Sequence, residues 1–204
     1  MAVQNRRRVD SDFREIWHNS AQSILTDVKV SENREKALRK KRVDAGKANA
    51  LPKKRRLNGE APEAKLSQCP YDKPESVLKR EVYRFVHDNI STETSNRFEA
   101  AIEETVYKFR TPRIGFAENP YHLIFRALRS KKLHKYPLDI KAYEITRFSR
   151  QLVYARRHNI CPDLLIGFLY QTGSPDEISK KAMNPDQRED WYLAKIGKAK
   201  ANMN

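Results

Sequence analysis

The sequence predicts an all-α protein: a helical bundle of five to seven helices, preceded by a disordered basic N-terminal region that contains one amphipathic helix. Three observations predict it. From Pro74 onward apolar residues recur every three or four positions, and no alternating segment longer than four residues offers a strand. Proline, serine, asparagine and glycine punctuate that stretch at helix-length intervals. Ahead of it lies a run rich in Lys and Arg that buries too little surface to offset its ordering entropy. The chain divides accordingly into an N-terminal arm (1–33), a disordered basic linker (34–74), an all-α domain (75–197) and a tail (198–204).

In the arm, Ser11 caps a helix in which Phe13, Ile16, Trp17, Ile24, Leu25 and Val28 recur at helical spacing, with Ala21 on the same face. This helix docks either back on the domain or on a partner; in the second case Phe13, Trp17 and Ile24 are its anchors. Pro74 opens the next helix, carrying Val77, Leu78, Val82, Phe85 and Val86. Ser91 to Thr94 starts another, with Phe98, Ala101, Ile102 and Val106 on its apolar face. Thr111-Pro112 breaks it, and Asn119-Pro120 begins a helix through Tyr121, Ile124, Ala127 and Leu128 that Pro137 stops. A helix from Asp139 to about His158 follows. Pro162-Asp163 leads into Leu164, Leu165, Phe168 and Leu169, closed by Gly173. Ser174-Pro175-Asp176-Glu177 is a capping box, and Asn184-Pro185-Asp186-Gln187 is expected to repeat the device.

Composition excludes several classes. The 204 residues hold 41 Lys+Arg against 26 Asp+Glu, a net charge of +15, and no apolar run long enough for a membrane helix. The arginines near the start precede no apolar segment, so a secretory signal is not expected. Two cysteines allow no disulfide framework and fit a reducing compartment. No glycine stands in a phosphate-cradling pattern. A metal centre is not expected either, because His158 and Cys161 have no second ligand pair. The acidic neighbours Glu103-Glu104 and Glu189-Asp190 diverge on a helix and do not form a general acid/base couple. These readings predict a protein without catalytic residues, metal or cofactor.

Residues 34–56 alone carry eleven basic against two acidic groups. Within them, Arg39-Lys40-Lys41-Arg42 and Lys53-Lys54-Arg55-Arg56 resemble a nuclear localisation signal. The second cluster reads as monopartite, the two together as bipartite. An import receptor and a nuclear location are the expectation, with nucleic-acid contact and simple solvation as the alternatives. A second basic set, Arg126, Arg129, Lys132, Arg147, Arg150, Arg156 and Arg157, falls on two helices. Positions 126, 129, 132 and 136 form one stripe, and 147, 150 and 154 another, interleaving cations with tyrosines. Such ridges bind phosphate and stack on bases, meet an acidic protein surface, or simply face solvent.

The C-terminal half resembles the central domain of transcription elongation factor S-II. Ala101-Ile102-Glu103-Glu104 resembles that family's Ile-Glu-Glu helix. Tyr143, Arg147, Ser149, Arg150 and Asn159 resemble its tyrosine-arginine-serine helix. Leu164, Leu169, Gly173, Pro175, Ile178 and Met183 resemble its leucine–glycine–proline–isoleucine–methionine stretch. The departures are the long 110–139 link with its own helix, Asn-Pro-Asp-Gln after Met183, and no zinc ribbon. The resemblance implies docking on RNA polymerase II or its regulators without stimulation of transcript cleavage. Together with the basic clusters it predicts a nuclear, non-enzymatic protein of the transcription machinery whose partner is an acidic protein surface. Direct DNA or RNA binding within chromatin or a ribonucleoprotein is the alternative.

Overall fold

A computed structural model describes residues 10–48, 70–106, 115–133 and 137–194. Seven α-helices and two short 3-10 turns make up the ordered elements, and no strand occurs among the described residues. The helices are α1 (Ser11–Ala48), α2 (Pro74–Asn89), α3 (Ser95–Glu103), α4 (Pro120–Leu128), α5 (Ala142–Arg157), α6 (Leu165–Thr172) and α7 (Pro175–Met183). A further helical segment begins at Asp190. The all-α expectation holds.

The arm and the linker are not as the sequence suggested. α1 runs 38 residues without a break, about 57 Å at 1.5 Å per residue, and continues through the segment expected to be disordered as far as Ala48. Arg, Lys, Glu, Ala and Leu dominate 34–41. They are good helix formers, and Glu35 pairs with Arg39 one turn on at 2.6 Å. Once the first half is anchored, propagating the helix costs little, because nucleation is already complete.

That anchoring decides between the two roles offered for the arm. Trp17, Ala21, Ile24, Leu25 and Val28 are buried and belong to the same core as the rest of the chain. Phe13 is half-buried, edge-on to Phe98 at 4.8 Å; Trp17 meets Phe85 at 5.4 Å, and Phe85 meets Phe98 at 5.6 Å. The Trp17 indole N–H donates to Thr105 Oγ1 at 3.4 Å, and the Ser31 hydroxyl donates to the Asp72 carbonyl. Trp17 and Ile24 are therefore core residues and Phe13 packs against that core, so the three are engaged within the chain rather than free to anchor a partner. The positions 17, 21, 24, 28 and 31 alternate steps of four and three, the spacing of one seam on a helix. The seam then reaches Glu35, and beyond Ser31 none of the described side chains of α1 is buried.

α4 lies at the centre, with Ile124, Phe125, Ala127 and Leu128 fully buried. It packs against α2, α3 and α5, so the link that departs from the S-II pattern contributes core rather than surface. α7 lies along α5. Its start is as expected: Ser174 Oγ accepts the Glu177 N–H, and Glu177 Oε2 accepts the Ser174 N–H at 2.7 Å. Gly173 has φ +134°, a region that L side chains rarely adopt, and an added Cβ would lie 2.7 Å from Glu177 Oε2. The second expected box is a turn instead. Asn184 Oδ1 accepts the Asp186 N–H at 3.1 Å, and helix resumes only at Asp190.

Candidate partner-binding surface

The two expected ridges on α4 and α5 are not intact surfaces. α4 ends at Leu128, so Arg129 and Lys132 do not continue a helical stripe from Arg126; Lys132 lies in a turn whose backbone N–H bonds Ser130 Oγ at 3.3 Å. Arg129 and Lys132 are exposed and Arg126 is half-buried, while position 136 lies outside the described residues. On α5 the 147–150–154–157 side is turned toward α7 and the chain that follows it. The Arg147 guanidinium stands 4.0 Å from Asp176 and within 6 Å of the Tyr143 and Phe148 ring centres, and its Nε is buried without a partner. Arg157 donates to the Asn184 carbonyl at 3.0 Å. Tyr154, expected to stack on a base, is fully buried and donates to Glu189 Oε1 at 2.7 Å. Arg150 is half-buried, and Arg156 is exposed and donates to the Ala117 carbonyl at 3.4 Å. Of the α5 arginines, only Arg156 is exposed.

The reason is α7 and the segment that follows it as far as Glu189. Glu189 accepts from Lys181 Nζ at 2.7 Å as well as from Tyr154, and its backbone N–H donates to His158 Nε2 at 3.0 Å. Burial works to raise the Glu189 pKa, but the hydrogen bonds from Lys181 and Tyr154 outweigh it and hold the carboxyl below its ordinary range. The chain after α7 is thus strapped across the end of α5, over Tyr154, Arg157 and His158, while Asp176 of α7 itself meets Arg147.

The distal half of α1 is different. Arg34, Lys36, Arg39, Lys40 and Lys41 are all exposed. Successive helical residues turn by about 100°, so these cations face several directions around the axis. They stand on about 25 Å of helix beyond Ser31, at 1.5 Å per residue. The helical state of Arg39 to Arg42 bears on the import reading, since an import receptor of the kind expected takes an extended segment. The second cluster, Lys53 to Arg56, lies outside the described residues.

Other groups with chemical potential are accounted for by packing. His158 is buried, and Cys161, three residues on, is exposed, so the two do not converge. No group of three or more His, Cys, Asp or Glu side chains that could hold a metal ion occurs among the described residues. Nor is any described helix long and apolar enough to cross a membrane. Glu104 pairs with Arg14 at 3.0 Å, on the outer surface.

One feature lay outside the sequence reading. Lys79, on the apolar side of α2 between Leu78 and Val82, is 6 % exposed, paired with Glu75 and 4.2 Å from the Phe148 ring centre. Burial pushes its pKa down, Glu75 opposes that, and nearby Arg147 adds to the lowering. A lysine three residues before Val82 and seven before Val86 shares their face, and this spacing was the available signal.

No family model matches the chain, and no curated protein or solved structure matches it.

Proposed function

We propose that this is a nuclear, non-enzymatic, transcription-associated protein that docks on an acidic surface of RNA polymerase II or one of its regulators. The single observation that supports this is the exposed cationic end of α1, mounted on a helix whose other half is locked into the core. A rigid mount removes much of the ordering cost that a flexible basic tail would meet on binding. The docking element is the 34–48 segment of α1 rather than the arginines of α5. The Lys53–Arg56 cluster serves as the import signal. Copurification from nuclease-treated nuclear extract tests the reading: polymerase subunits above background are expected, and their absence would end it.

A second reading is direct DNA or RNA binding, favoured by the distribution of cations around the α1 axis rather than along one stripe. That distribution suits a polyanion met at several angles, and such binding weakens steeply with salt through counterion release. Titrations with duplex and single-stranded probes at two salt concentrations separate the two. Tight binding with a steep salt slope favours nucleic acid; weak binding leaves the protein partner.

A further inference from the structure

A cavity of about 370 Å³ opens where α2, α5, α6 and the start of α7 meet. That volume lies in the range of small-molecule sites. Its lining has two unlike parts. Ile166, Leu169 and Ile178 give an aliphatic wall, while Lys79, Glu75 and Gln151 supply polar groups. The rim adds Lys73, and the N-terminus of α7 borders it at Ser174 and Pro175.

Two polar groups are unusual. Gln151 is 1 % exposed; its Nε2 donates to the Pro175 carbonyl at 3.2 Å, which distinguishes the amide nitrogen from the oxygen, and its Oε1 is buried with no partner among the described residues. A buried acceptor left unpaired is costly, so a donor delivered there is favoured. Lys79 keeps only 7 % of its side chain exposed, whereas Glu75, its counter-ion, is 47 % exposed. Glu75 can swing into water at small cost, and an incoming carboxylate can take its place on Nζ.

We propose that this cavity binds an aliphatic carboxylate carrying a secondary amide N–H next to the acid, the chemistry of an N-acylated leucine-type amino acid or of a peptide C-terminus with an aliphatic last residue. The carboxylate replaces Glu75 on Lys79, the side chain lies on Ile166, Leu169 and Ile178, and the amide N–H serves Gln151 Oε1 after a small rotation of the Gln151 side chain. A simple fatty acid lacks the N–H, and a free amino acid brings an ammonium beside the buried Lys79. The site is separate from the exposed end of α1, and the proposal does not depend on the docking reading above.

The test uses the full chain, labelled with ¹⁵N and titrated with N-acetyl-leucine, with N-acetyl-leucinamide, and with a tetrapeptide ending in leucine as free acid or amide. Saturable shifts at Lys79, Gln151, Ser174 and Ile178 are expected for the acids, with at least tenfold weaker binding of both amides. Binding of N-acetyl-leucine alone identifies a free small molecule, and binding of both acids identifies a chain terminus as an equally good source. Lys79→Met and Gln151→Leu should each weaken the acid at least tenfold in variants whose melting shows them folded. No saturable shift up to about 10 mM, where even a millimolar site would be filled, would overturn the proposal. So would equal binding of acid and amide on the unmodified chain, a comparison that requires no variant to fold.

Discussion

His158 Nε2 accepts the backbone N–H of Glu189 at 3.0 Å, while its Nδ1 donates to the Tyr154 carbonyl at 2.8 Å. An amide N–H only donates and a carbonyl only accepts, so these partners fix the neutral ring with its proton on Nδ1. The ring is packed among Tyr154, Phe168, Trp191 and Tyr192. It is the pin that holds the chain after α7 across α5.

This pin makes stability depend on pH. Burial lowers the His158 pKa first, with Arg188 and Arg157 adding to it, while the Tyr154 carbonyl and the Glu189 carboxylate act the other way. Below about pH 6.5 the unfolded chain takes a proton that the folded one refuses. The stabilisation is therefore present above that pH and is lost as pH falls toward the lower folded value. Urea midpoints at pH 7.5 and 5.5 should show a drop that His158→Gln reduces, since an amide retains a donor and an acceptor without titrating.

Trp17 ties α1 to the body. Trp17→Ala should cost about 3–5 kcal/mol, the range for a large buried aromatic, whereas Ile16→Ala, at 40 % exposure on the same helix, should cost far less. Urea unfolding measures both. Equal small effects would show that α1 is not part of the core in solution.

Ser174→Ala removes the acceptor for the Glu177 N–H and should cost about 1 kcal/mol, within the usual range for a helix cap. Thermal melts report it. Asn184→Ala removes a turn contact rather than a cap, so a smaller loss is expected.

Most of the helices could be read from the sequence because their punctuation is local. Pro74, Pro120, Pro162, Gly173 and the Ser174 box each act on the backbone beside them. What the sequence concealed was pairing between distant segments. Arg147 with Asp176, Tyr154 with Glu189 and His158 with Glu189 are all separated by a full helix or more, and spacing along one helix does not reveal the cover laid over it. The end of α1 was concealed for a different reason. Residues 34–48 have few large apolar residues, only Leu38 and Val43, which suggests disorder, but helix propensity and a pre-formed first half are enough to extend it. The cavity beside Lys79 needed four elements to come together, and only the lysine in an apolar register hinted at it.

Replacement of Lys53, Lys54, Arg55 and Arg56 by Ala should abolish nuclear accumulation of a fluorescent fusion. Replacement of Arg39 to Arg42 should have a smaller effect, because that cluster is helical and an import receptor takes extended chain. A larger effect from the first cluster would reverse the assignment.

Charge reversal of the exposed end of α1 addresses the docking reading most directly. The chain with Arg34, Lys36, Lys40 and Lys41 changed to Glu is compared with the original for recovery of polymerase subunits from nuclease-treated nuclear extract. The original should retain them well above background and the reversed chain at least tenfold less, with unchanged melting. Equal recovery by both, or none by either, would contradict the assignment.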